Sequence, residues 1–120
     1  MNILFLDDDE FRWKKFREEN PNVNATWVSN YDSAVGLLKT IDTSFDIAYL
    51  DHDLDFYEPT GMDFVKYLVK NKIKVDKVIC HSMNPEGRAN MVATLYSSGY
   101  NALNMPWAWQ YKVENVLKLF

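Results

Sequence analysis

The chain has 120 residues, 48% of them hydrophobic and 25% charged, with a formal net charge of −4. That length and balance predict one globular domain, residues 1–120, and argue against a disordered or membrane-bound chain. The acidic balance argues against broad DNA or RNA binding, which needs a basic face to release counterions from the phosphate backbone, and leaves room for a small ligand or a local basic patch.

The first apolar run, Ile3 to Leu6, has strand length and is far shorter than the apolar core of a signal peptide. It runs straight into Asp7, Asp8 and Asp9, and the expectation is an intracellular, cytoplasmic protein without a membrane span. Phe11 to Glu19 follows as an amphipathic helix carrying Phe11 and Phe16, opened by Asp9 or Glu10, where negative charge suits the helix dipole. Ala25 to Val28 reads as a second strand. Tyr31 to Ile41 reads as a second helix, with Ala34, Val35, Leu37, Leu38 and Ile41 at spacings of three and four.

Phe45 to Leu50 is the third strand, and it ends in Asp51, His52 and Asp53. Thr60 and Gly61 precede a third helix that turns Phe64, Val65, Leu68 and Val69 inward. The lysines of "KNKIKVDK" come before the fourth strand, Val78 to Cys80, and so belong to the opposite end of the sheet as a solubilising set. Cys80 is the only cysteine, which excludes an internal disulfide and suits a small buried hydrophobe. His81, Ser82 and Asn84 follow. Asn84 and Pro85 have N-cap and first-turn chemistry for a fourth helix, and Gly99 supplies its left-handed stop. Ala102 to Met105 is the fifth strand, and Trp107 to Phe120 the last helix, with Val113, Val116, Leu117 and Phe120 facing inward.

Strand and helix thus alternate five times. Continuous apolar strands suit burial on both faces, and the chain is too short for an eight-stranded barrel, so the pattern predicts an open, doubly wound parallel sheet with right-handed crossovers. By analogy with flavodoxin-like folds its strand order is 2-1-3-4-5. Ligands of such sheets bind beyond the carboxyl ends of the strands. All three polar clusters, at residues 7–9, 51–53 and 81–84, fall on that rim.

These residues carry a family resemblance. "ILFLDDD" resembles the first strand and acid pair of bacterial response-regulator receiver domains, "FDIAYLDHDL" their phospho-acceptor strand, and Gly61 their following glycine. The resemblance implies that Asp7 and Asp8 are a metal-holding pair, Asp51 the phospho-acceptor position and Ser82 approximately the hydroxyl position. One departure matters: receivers place a lysine before the proline that ends the fifth strand, and here "LNMPW" puts Met105 there, whose thioether cannot pair with a phosphoryl oxygen. The pattern "LDDD", Arg12, "LDHDL", "HSMN" is more similar to a divergent branch, the cyclic-phosphate-processing receiver domains, and both histidines of the chain fall within it. That resemblance implies handling of cyclic phosphates, in settings that include RNA repair and nucleotide signalling.

The chemistry of the side chains stands beside the resemblance. Carboxylates brought together repel, and either a proton or a divalent cation relieves them. Mg²⁺ suits Asp7, Asp8 and Asp51; Zn²⁺ or another transition metal on two histidines and an aspartate is the second reading. His52 and His81 facing across a phosphodiester would serve as base and acid beside Asp51. Arg12, one turn into the first helix, would grip phosphate oxygens bidentately, with Ser82 and Asn84 adding hydrogen bonds.

Plainer roles compete. His52 suits a loop contact, His81 a satisfied strand end, Asn84 the helix cap, and Arg12 a solvated "RWKKFR" face. Trp107, Trp109 and Tyr111 read first as packing for the last helix or as a homo-oligomer face, and second as a platform for a nucleobase. Three functions follow: a metal-assisted cyclic phosphodiesterase, a phospho-accepting receiver using Asp51, and a non-catalytic module that binds a nucleotide or a protein.

Overall fold

The computed structural model describes residues 1–40, 44–54, 59–106 and 112–120. Among them run β1 (Asn2–Leu6), α1 (Glu10–Glu19), β2 (Asn24–Val28), α2 (Tyr31–Thr40), β3 (Phe45–Leu50), α3 (Gly61–Lys70), β4 (Val75–Cys80), α4 (Pro85–Ser97), β5 (Ala102–Asn104) and α5 (Val113–Leu117). The strands pair in parallel in the order β2-β1-β3-β4-β5, as the alternation and the analogy predict. Among the described residues no helix is long and apolar enough to cross a membrane.

Successive strand residues point to opposite faces, and this sorts the core into two. Leu4, Leu6, Ala48, Leu50, Val78 and Cys80 pack with Ala34 and Val35 of α2, Phe64, Val65 and Leu68 of α3, and Met91 and Leu95 of α4. Ile3, Phe5, Ile47, Tyr49 and Ile79 pack with Phe16 of α1 and Val113 and Val116 of α5. Both faces of the central strands are therefore covered, which is why their sequences are apolar without a break.

The helix ends are fixed by local chemistry. Asp9 caps α1, accepting from the backbone N–H of Phe11 at 2.8 Å. Asn84 caps α4 by accepting from Gly87 N–H at 2.9 Å, with Pro85 in the first turn. Gly99, at φ 91°, takes the left-handed conformation that stops that helix.

Four expectations shift. Phe11 is 70% exposed on α1, and it is Trp13, ringed by Phe5, Phe16 and Trp27, that fills the apolar face there. β4 begins at Val75, three residues early, because Val75 pairs with Phe45 while β5 reaches only residues 78 to 80, leaving Asp76 exposed. β5 stops at Asn104, although Met105 N–H still donates to the Cys80 carbonyl. The last helix is described as Val113–Leu117; Ile41, Trp107, Trp109 and Tyr111 lie outside the described residues.

Candidate functional site

Register builds the rim. Leu6, Leu50 and Cys80 are cross-strand partners, and the ladder continues one residue further through Asp51 N–H to the Leu6 carbonyl (2.9 Å) and His81 N–H to the Leu50 carbonyl (3.0 Å). Asp7, Asp51 and His81 therefore stand abreast at the carboxyl ends of β1, β3 and β4, and all three are buried.

Asp7 receives most of the positive charge. Arg12 reaches back from α1 and clasps it with both ends of the guanidinium, Nε to Oδ2 at 2.8 Å and Nη2 to Oδ1 at 2.9 Å. His81 Nε2 lies 2.6 Å from the same Oδ2, and Asp9 N–H donates to Oδ1 at 2.8 Å. Burial works against ionising Asp7, but the hydrogen bonds from His81 and Arg12 override it and bring its pKa down to about 2. An ionised carboxylate only accepts, so His81 carries its proton on Nε2. The His81 ring is stacked on Phe5, with centroids 5.2 Å apart, and is buried rather than open to the rim.

Asp51 is left short. Its contact with Arg12 is a longer one, Nη2 to Oδ2 at 3.3 Å, and the Ser82 hydroxyl donates to it. Burial, and then the negative charge of Asp7, push its pKa up to about 8, against the partial relief from Arg12. Asp8 lies 3.7 Å from Arg12 Nη2. One ligand atom each from Asp7, Asp8 and Asp51 lie within 4.8 Å of one another, an all-oxygen donor set that neither histidine joins.

His52 faces the other way. Its ring lies over Gly87 in the first turn of α4, where a Cβ would come 2.5 Å from His52 Cγ, and Nδ1 lies 2.9 Å from Asp53 Oδ1. Asp53 accepts in turn from Asn84 Nδ2 at 3.4 Å. Asn84 is thus committed to the cap and to Asp53. Gly61 is required at the turn beyond: it donates its N–H to the His52 carbonyl at 2.8 Å, and a Cβ would overlap the Asp51 carbonyl oxygen.

The predicted rim residues Asp7, Asp8, Arg12, Asp51, His52, His81, Ser82 and Asn84 are therefore gathered at one end of the sheet, but the histidines are turned to different carboxylates, His81 to Asp7 and His52 to Asp53. Sequence reasoning passed over Arg88. It sits one turn after the Asn84 cap and donates from Nη1 to the Ser82 carbonyl and from Nε to Asn104 Oδ1; spacing of four from a cap residue on a rim-facing helix start was the available signal. Cys80 is buried in β4, and burial pushes its thiol up to about 12, so it is packing and not a nucleophile.

Asp51 and Asp7 should respond oppositely to loss of charge. Asp51 keeps its proton in the native state up to about pH 8, whereas the unfolded chain loses it near 3.8. Stability therefore falls as pH rises between those values. In chelator-treated protein, Asp51→Asn should raise Tm over wild type by about 5 °C or more at the upper end of that window, and by less toward its lower end. The native Asp7 pKa, about 2, lies below 3.8, so its contribution is full above 3.8 and lost as pH falls toward 2. Asp7→Asn should cost about 3 kcal/mol at neutral pH, because it strands Arg12 and His81. Thermal unfolding followed by circular dichroism checks both signs.

Comparison with known proteins agrees with this fold. The chain is similar in structure to a CheY-like response-regulator receiver domain from Methylobacillus flagellatus, with 17% identity over 99% of this chain and 97% of that one and a TM-score of 0.71. It is also similar to the receiver domain of the Francisella response regulator 1452, with 20% identity over 98% and 92% of the two chains and a TM-score of 0.70. A response regulator from Burkholderia pseudomallei, whose structure holds a phosphorylated aspartic acid, a calcium ion and citrate, shares 18% identity over 97% of this chain and 64% of that one, with a TM-score of 0.64. At these identities the likeness establishes the fold. No curated protein sequence matches the chain. The family model of the cyclic-phosphate processing receiver domain matches residues 2–97, and the chain belongs to that family.

Proposed function

We propose that this rim binds cyclic phosphates, on a free nucleotide or an RNA end, and opens them by hydrolysis. The observation that supports this best is the unequal sharing of charge: Arg12 and His81 both serve Asp7, leaving Asp51 a buried carboxyl group with a deficit that a cation or a proton must fill. The donor set of Asp7, Asp8 and Asp51 fits a hard cation. Bound there, Mg²⁺ would supply positive charge to phosphoryl oxygens.

The chain's own residues do the rest. Asp53 accepts from His52 Nδ1, which leaves the lone pair on Nε2, an atom with no hydrogen-bond partner among the described residues. Nε2 would take the proton of the attacking water as its oxygen bonds to phosphorus. The ring P–O bond then breaks, and at this rim the leaving oxygen takes its proton from solvent. His81, buried and hydrogen-bonded to Asp7, acts in this reading as a positioning residue for that carboxylate. Incubation with a panel of cyclic phosphates, followed by phosphorus resonances, tests it. Turnover should need Mg²⁺ and fall on the order of 10² to 10⁴ in His52→Ala. Saturable binding without turnover would replace the enzyme by a binding module.

The phospho-accepting reading rests on Asp51 at the end of β3 in a receiver fold, and on the phosphorylated aspartic acid of the Burkholderia relative. Against it, Met105 is packed beside the Phe5 and Tyr49 cluster and offers no cation. Acetyl phosphate with Mg²⁺ should leave the intact mass unchanged; a stoichiometric adduct absent from Asp51→Asn would favour the switch.

Arg12 lies within 4 Å of all three would-be metal ligands, so a tethered guanidinium already stands at the centre of the donor set. A divalent ion must compete with it. Arg12→Gln should tighten Mg²⁺ binding about tenfold or more in calorimetry, given the Coulomb energy of one charge at this range. Weaker binding in the variant would mean that Arg12 shapes the site instead of contesting it.

A further inference from the structure

We infer that Arg88 is the cation that receives the anionic oxygens of a phosphate ligand at this rim. The inference rests on the cyclic-phosphate reading and adds to it a residue that holds the substrate. A phosphate approaching Asp7, Asp8 and Asp51 meets negative charge and needs a fixed positive group. Arg12 does not provide it, since Nε and Nη2 are both spent on Asp7 and the remaining Nη1 lies 3.7 Å from Asp9 Oδ2. Met105 is apolar.

Arg88 is placed differently. From the first turn of α4 its guanidinium spans the carboxyl ends of β4 and β5, donating to the Ser82 carbonyl from Nη1 and to Asn104 Oδ1 from Nε. Neither partner is an acid, so the charge of Arg88 is not cancelled by a carboxylate among the described residues. Nη2 has no partner among them. Ser82 joins this cation to the acid: its carbonyl holds Arg88 while its hydroxyl donates to Asp51. A guanidinium held by two neutral acceptors, with a donor edge to spare, is oriented before the ligand arrives and loses little freedom on binding. The chemistry it would recognise is a phosphate diester or monoester oxygen.

Orthophosphate is the probe that separates this subsite from turnover. Its binding is measured by calorimetry with Mg²⁺ present, on wild type, Arg88→Gln, Arg88→Lys and Asn104→Ala. Wild type should bind, Arg88→Gln should lose about 10- to 100-fold in affinity, the range for one hydrogen bond to a charged group, and Arg88→Lys should recover part of the loss. Asn104→Ala, which loosens the guanidinium without removing it, should lose less than Arg88→Gln. Circular dichroism establishes that the variants fold; if Arg88→Gln does not, the lysine and Asn104→Ala variants carry the comparison. A lower Tm with unchanged orthophosphate affinity in both would make Arg88 a structural clamp and overturn the proposal, as would wild type that binds no orthophosphate. Absence of turnover of every cyclic phosphate, with Arg88-dependent orthophosphate binding intact, would leave the subsite standing and remove only the hydrolytic reading.

Discussion

Two carboxylates are forced side by side by strand register, and the fold supplies enough positive charge for one. Asp7 and Asp51 end adjacent parallel strands whose partners Leu6 and Leu50 are fixed by the hydrophobic core on both faces, so neither can be moved without slipping a strand. The guanidinium of Arg12 and the imidazole of His81 both settle on Asp7. Asp51 then carries the imbalance: it keeps only the longer contact with Arg12, at 3.3 Å, and hydrogen bonds from His52 N–H and the Ser82 hydroxyl, and burial beside Asp7 still disfavours its ionised form.

The same register explains why the two histidines contact different carboxylates. Period-two alternation continues past the strand ends: Phe5 and Asp7, Tyr49 and Asp51, Ile79 and His81 each point to the α1 side of the sheet. That is where Arg12 arrives, and where His81 finds Phe5 to stack on. His52, one residue out of phase, is sent to α4, where Gly87 leaves room for its ring and Asp53 orients it. The histidine beside Asp53 has no hydrogen-bond partner for Nε2 among the described residues, while the one beside Asp7 is buried against Phe5.

Much of this was legible in the residues. Five apolar runs of strand length, the Asn84 and Pro85 helix start and the Gly99 stop were sufficient for the alternation of strand and helix, because each is a local signal that tertiary packing reinforces, whereas the strand order came by analogy with flavodoxin-like folds. The rim followed from the rule that ligands bind at carboxyl ends, and the family from "LDDD", "LDHDL" and "HSMN" together. What was not legible was direction. Treating His52 and His81 as a facing pair ignored the alternation that separates them. Reading Arg12 as a free phosphate clamp ignored how near a helix's first turn lies to the strand end before it. Phe11 looked like core by spacing, yet it is exposed in the first turn of α1, and Trp13 packs on Phe5 and Phe16 instead. Arg88 carried no motif beyond its spacing of four from the Asn84 cap; its contacts with Ser82 and Asn104 are ones that only folding brings together.

Titration of the individual carboxyl carbons of Asp7 and Asp51 by ¹³C resonance, in chelator-treated protein, tests the unequal sharing of charge most directly. The account predicts a midpoint for Asp51 of about 8 while Asp7 stays ionised down to about 2. Both groups titrating near 3.8, the ordinary value, would contradict it.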